Sequence, residues 1–223
     1  MDQKLKSKLS FFMEFKLVGG IFWVTILFMI LNFCLVLIRF DSTSEINLIR
    51  NQWGTLTLPW ICLWIIPMFQ DLADARGKEA LLSLPYNHFT FGAMRVIRTT
   101  IIYFIIFYIG WCSVSLFLNL FDQWEWFDFV LPLVSIFFLA TLSFISIVLT
   151  RNLMYSYIII GVFCSMQYMT RGSALGPLYP FHWSFPNSAR TYEDNLFILL
   201  CVSIIFITIS NIFFKNRAFM LKK

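Results

Sequence analysis

Charge is what this sequence has least of. Of its 223 residues, 13% are charged, about half the share of an ordinary soluble domain. Meanwhile 59% are hydrophobic and 27 are Phe, and no soluble fold of this size can hide that much apolar surface. The composition is that of an integral membrane protein. Histidine is also scarce, with only His88 and His182. There is no H-E-x-x-H, no pair of intramembrane carboxylates, and no G-x-x-x-x-G-K-[ST] to cradle a nucleotide. The five cysteines (Cys34, Cys62, Cys112, Cys164 and Cys201) lie singly in apolar runs. They make neither a zinc motif nor a disulfide framework and read as small hydrophobes.

What is present is a set of long apolar runs. A membrane-crossing helix needs about 20 predominantly apolar residues, and six stretches qualify: 18–39, 54–70, 99–121, 129–150, 155–170 and 195–214. The second carries Pro59 and Pro67, tolerable in a packed membrane helix. The first run is too long for a signal-peptide core and has no small-residue cleavage site, so it reads as a retained span. No ionisable residue falls near the middle of any run. Arg39, Asp128 and Arg151 sit at run ends, where side chains reach the interface. Asn32, Asn119 and Gln167 are the mid-run polar groups and read as helix-to-helix hydrogen bonders. Without a titratable relay, proton-driven transport is disfavoured.

The cations set an orientation. Six crossings put both termini on one side with Lys4, Lys6, Lys8, Lys16, Arg76, Lys78, Arg95, Arg98, Arg151, Lys215, Arg217, Lys222 and Lys223. The other side keeps only Arg39, Arg50, Arg171 and Arg190. The positive-inside rule then makes both termini cytoplasmic in the cell membrane. The net charge of +5 is therefore an orientation signal and not a nucleic-acid footprint. Residues 1–17 place Leu5, Leu9, Phe12 and Met13 on one helical face with lysines off it. They read as an amphipathic interfacial helix hinged at Gly19-Gly20.

Between the second and third runs lies "DLADARGKEALLSLPYNHF", a compact mixed-charge insert. Asp71 to Leu84 reads as a helix stopped by Pro85, and Phe91 to Arg98 as a second one leading into the next run. This hairpin, residues 71–98, is too small for an enzyme domain and has the size of a docking element. Near the other end of the chain, 171–194 combines Pro177, Pro180 and Pro186 with Leu178, Tyr179, Phe181, Trp183 and Phe185. It is too broken for helix and too apolar for a free loop. Two readings fit: a re-entrant or interfacial gate segment, and a simple aromatic belt.

The insert resembles the stretch between the second and third spans of the membrane subunits of type 2 ABC exporters, an acidic–glycine–"LL-x-x-LP" pattern. It is carried here by Asp74, Arg76, Gly77, Lys78, Glu79, Leu81, Leu82, Ser83, Leu84 and Pro85. Where that family often has Ser-Arg after the proline this chain has Asn87-His88, and Arg95 stands at the family's later lysine. The resemblance implies a single six-span all-α transmembrane domain over 1–223, with 71–98 as coupling helix. It implies two copies of a separate P-loop ATPase, which hold the ATP and magnesium, and a permease dimer of identical or related chains. Asp71, Asp74, Arg76, Gly77, Lys78, Glu79, Leu81, Leu82, Leu84, Pro85 and Arg95 are then the ATPase-coupling residues. Pro177, Tyr179, Pro180, Phe181, Trp183 and Pro186 form an outer gate. The chain itself is not catalytic, and its cargo is amphipathic or hydrophobic: a peptide, lipid or drug. Two alternatives stay open. One is a non-transporting membrane immunity or binding protein for a peptide or lipid. The other is a lipid-acting enzyme using Glu125, Asp128, His182 and Glu193 as acid–base groups.

Overall fold

In the computed structural model, the described residues are 19–40, 45–73, 88–186 and 191–215. Every regular element among them is helical: α1 (Gly20–Arg39), α2 (Ile46–Thr57), α3 (Ile61–Met68), α4 (His88–Phe91), α5 (Ala93–Phe117), α6 (Phe127–Thr150), α7 (Leu153–Thr170) and α8 (Tyr192–Lys215). Single 3-10 turns sit at Leu58–Trp60, Gln70–Leu72 and Phe121–Gln123. Five helices, α1 and α5 to α8, are long and apolar enough to cross a membrane, so the chain is a multi-pass membrane protein. Gly19 has a positive φ of 55° immediately before α1, a conformation that glycine adopts without strain. Residues 1–17 lie outside the described part.

The expected second span, 54–70, is not one helix. It begins eight residues earlier, at Ile46, and is broken between α2 and α3 where Pro59 removes a backbone donor. At the end of α2, beside this break, the Tyr103 hydroxyl on α5 donates to the Thr57 carbonyl at 2.5 Å. A broken helix persists in an apolar interior when neighbours satisfy the carbonyls at its end in this way.

Other boundaries also move. The third run starts at Ala93, six residues before the expected 99, because Arg95 folds into the bundle. Its guanidinium lies over the rings of Phe69 and Phe91, 5.5 and 5.2 Å from their centroids. It ends at Phe117, not 121, and Asn119 is an exposed turn residue with φ 54°. Asn119 is thus no mid-helix polar group; Asn tolerates the left-handed turn that stops the helix.

α6 is the axis of the bundle, packed against α3, α5, α7 and α8. Its most apolar stretch is 67% buried, against 17–33% for the other four crossing helices. Phe127, Leu131, Phe138 and Phe144 are buried along it, and the Phe144 ring lies tilted against Phe69, with centroids 4.6 Å apart. Two α6 side chains, Ser143 and Ser146, turn their hydroxyls back onto carbonyls one turn earlier, so they bring no unmet polar group into the core.

Candidate functional site

Two ends of the bundle carry the residues singled out in sequence. At the end where α3 finishes and α5 begins, Asp71 falls in the 3-10 turn Gln70–Leu72, whose Leu72 is buried. Arg95 is buried one turn into α5. Asp74, Arg76, Gly77, Lys78, Glu79, Leu81, Leu82, Leu84 and Pro85 lie outside the described residues. The expected run from Phe91 to Arg98 is split, with α4 closing at Phe91 and α5 opening after Gly92. Both edges of the charged insert are therefore tied to the bundle through one ring, Phe69, which touches Phe91, Arg95 and, on the axis, Phe144.

At the opposite end, residues 171–186 form a strap of successive turns with no helix. Left-handed Arg171, Gly172 and Gly176 reverse the chain, and Phe181 accepts the turn bonds from the Ser184 and Phe185 N–H groups at 2.9 and 2.8 Å. Tyr179, Pro180, Phe181, His182, Trp183 and Ser184 are buried, Pro177 is half-buried and Pro186 is exposed. An aromatic belt would leave these rings at the rim. Instead they point into the protein, as the apolar loop composition demands once its backbone is satisfied.

Side chains from the helices do that satisfying. The Gln167 amide on α7 donates to the Leu178 carbonyl at 2.7 Å. The Asn195 amide on α8 donates to the Pro177 and Tyr179 carbonyls at 3.3 and 3.1 Å. Gln167 thus bonds the strap rather than a neighbouring helix. The Tyr179 hydroxyl is pushed up to about 12 by burial, an effect that Arg171 nearby partly offsets. His182 lies against Tyr192, with ring centroids 4.8 Å apart.

The centre of this end is Asp128. Expected at the interface, it is fully buried, one residue into α6. Its Oδ2 accepts from Arg50 Nη2 at 2.6 Å and from the Glu125 N–H at 2.9 Å, while Oδ1 accepts from Trp183 Nε1 at 2.8 Å. Arg50 is likewise buried on α2 and also donates to Asn47 Oδ1 (3.0 Å) and the Gln123 carbonyl (3.4 Å). Its guanidinium lies over Phe127 at 5.0 Å. Burial forces this arrangement, because an isolated charge in such a place is too costly to keep. One carboxylate so joins α2, the turn before α6, α6 itself and the strap.

Sequence reasoning missed Gln167 and Asn195 as partners of the strap, and Arg50 as the partner of Asp128. The available signal was a lone Arg on an amphipathic stretch, with Ile46, Ile49, Trp53 and Thr57 on the same face. Of the acid–base set Glu125, Asp128, His182 and Glu193, Asp128 and His182 are buried, both Asp128 oxygens accept hydrogen bonds, and Glu125 and Glu193 are exposed. Among the described residues no cluster of His, Cys, Asp or Glu could hold a metal ion.

The fold and site define a multi-pass helical membrane protein with a buried polar node beneath a turn-built strap. No family model, no curated protein and no solved structure matches the chain.

Proposed function

We propose that this chain is the membrane subunit of a type 2 ABC exporter, moving an amphipathic or hydrophobic cargo at the expense of ATP bound by a separate subunit. The observation that carries the reading is the insert, where Asp74, Gly77, Glu79, Leu81, Leu82 and Pro85 follow the coupling pattern with one residue, Ser83, between Leu-Leu and Leu-Pro where the pattern has two. Its anchoring supports the reading: a push on a hairpin whose edges meet at Phe69 is delivered to α3, α5 and the axis α6 at once. The strap over the other end is suited to an outer gate.

Six crossings follow if the jointed run 46–68 is the second one. At about 1.5 Å per residue it reaches roughly 35 Å, enough for a hydrocarbon core of about 30 Å. Both termini and the insert are then cytoplasmic, in the cell membrane, and the strap is outside. Two ATPase subunits and a second permease, identical or related, complete the assembly.

The test is a gentle-detergent pull-down of the tagged chain from its native membranes. A P-loop ATPase is expected in equal amount, and Glu79→Lys is expected to remove it while leaving membrane insertion unchanged. Recovery of the chain alone, under conditions that keep other exporters intact, would refute the assignment and favour the binding or immunity class.

A further inference from the structure

Trp183 fills a slot whose walls belong to other elements. Its ring meets Trp111 edge-on at 5.1 Å and Phe107 at 5.9 Å, both on α5. Below it is Gly54 on α2, where a Cβ would stand 2.8 Å from the ring and run into Ser184 Oγ. At its end the indole N–H finds Asp128 Oδ1. Because Arg50 and the Glu125 N–H both take Oδ2, the slot is left with one acceptor aimed at one donor. The walls are helices held by packing and an ion pair. The occupant arrives on turns, held by the amides of Gln167 and Asn195 and by its own N–H.

We propose that this slot is a binding site for a flat aromatic ring bearing an N–H donor, of the indole type, and that Trp183 is its built-in occupant, displaced when such a group of the cargo enters. Shape selects the ring, since Gly54 leaves no room for a bulkier wall. The single acceptor selects the N–H, because a ring without a donor leaves a buried carboxylate oxygen unmet. Displacement carries the strap with it, so occupancy of the slot and opening of this end become one event. The slot rests on the geometry alone; that cargo is the displacing group rests on the exporter reading.

The experiment uses the full chain in phosphatidylcholine nanodiscs. Trp183→Ala removes the occupant, and a matching small molecule refills such a space. Indole is expected to restore most of the lost thermal midpoint, and benzofuran, the same shape with oxygen in place of N–H, clearly less. Adding Asp128→Leu together with Arg50→Met, which removes the acceptor without stranding a charge, is expected to abolish that difference. Equal rescue by both compounds, or by neither, overturns the site.

Should Trp183→Ala fail to fold, a Ser184→Cys variant with the native cysteines replaced reads the strap directly. Its labelling by a membrane-impermeant maleimide is expected to rise about tenfold with N-acetyl-tryptophanamide and to stay flat with the phenylalanine analogue. Labelling that ignores both compounds overturns displacement. Indole discrimination in a chain that co-purifies with no ATPase keeps the slot and removes the cargo assignment.

Discussion

Asp128→Asn removes the charge that faces Arg50 while keeping volume and one oxygen. Breaking a buried ion pair from one side costs about 3–5 kcal/mol, because the surviving charge stays buried. Arg50 keeps Asn47, the Gln123 carbonyl and the face of Phe127, which places the loss near the lower end, about 3 kcal/mol. Arg50→Met strands Asp128 in the same way, with a similar cost. The pair replaced together leaves no orphaned charge, and a neutral amide still accepts from Trp183. The double variant is therefore expected to lose only about 1–2 kcal/mol, far less than the singles summed. Reversible unfolding in mixed micelles, titrated with a denaturing detergent, gives the three differences. Singles indistinguishable from wild type, or a double equal to their sum within about 0.5 kcal/mol, would refute the node as a coupled unit.

Two further substitutions probe the elements around it. Gly54→Ala drives a methyl into Ser184 and the Trp183 ring, and is expected to destabilise by about 1–3 kcal/mol and to raise hydrogen exchange across 178–186 before the rest of the chain; exchange unchanged there would show that the contact yields freely. Tyr103→Phe withdraws the donor from the Thr57 carbonyl at the break between α2 and α3. A loss of about 1–3 kcal/mol is expected for an unmet buried carbonyl, and a loss below about 0.5 kcal/mol would mean that the break satisfies itself.

The five crossing helices were legible because hydropathy over 18 or more residues is a strong, local signal. Their ends were less so. Arg95 and Arg98 argue for an interface, yet Arg95 lies along two phenylalanine rings, and only the fold brings Phe69 to it. The early start of α2 was readable in principle. Ile46, Ile49, Trp53 and Thr57 keep a helical period through Asn47, Arg50, Asn51 and Gln52, but a search for apolar runs passes over an amphipathic helix. The Arg50–Asp128 pair was not readable, since 78 residues separate its members and each alone resembles an ordinary flanking charge. The strap sits between these cases. Its prolines and aromatics exclude both helix and free loop, while the amides of Gln167 and Asn195 that hold it announce nothing in sequence.

The uneven burial of the crossing helices has a consequence for how this protein experiences its solvent. α6 is mostly surrounded by protein, whereas α1, α7 and α8 leave most of their surface outside the chain's own core. A change in bilayer thickness therefore acts on the rim and hardly on the axle. The peripheral helices tilt to match the new hydrocarbon depth, and they do so about a fixed centre whose two ends are Asp128 and Phe144. Because α7 and α8 also carry the amides that hold the strap, bilayer thickness becomes a mechanical input to the closed end of the bundle, delivered with no ligand at all.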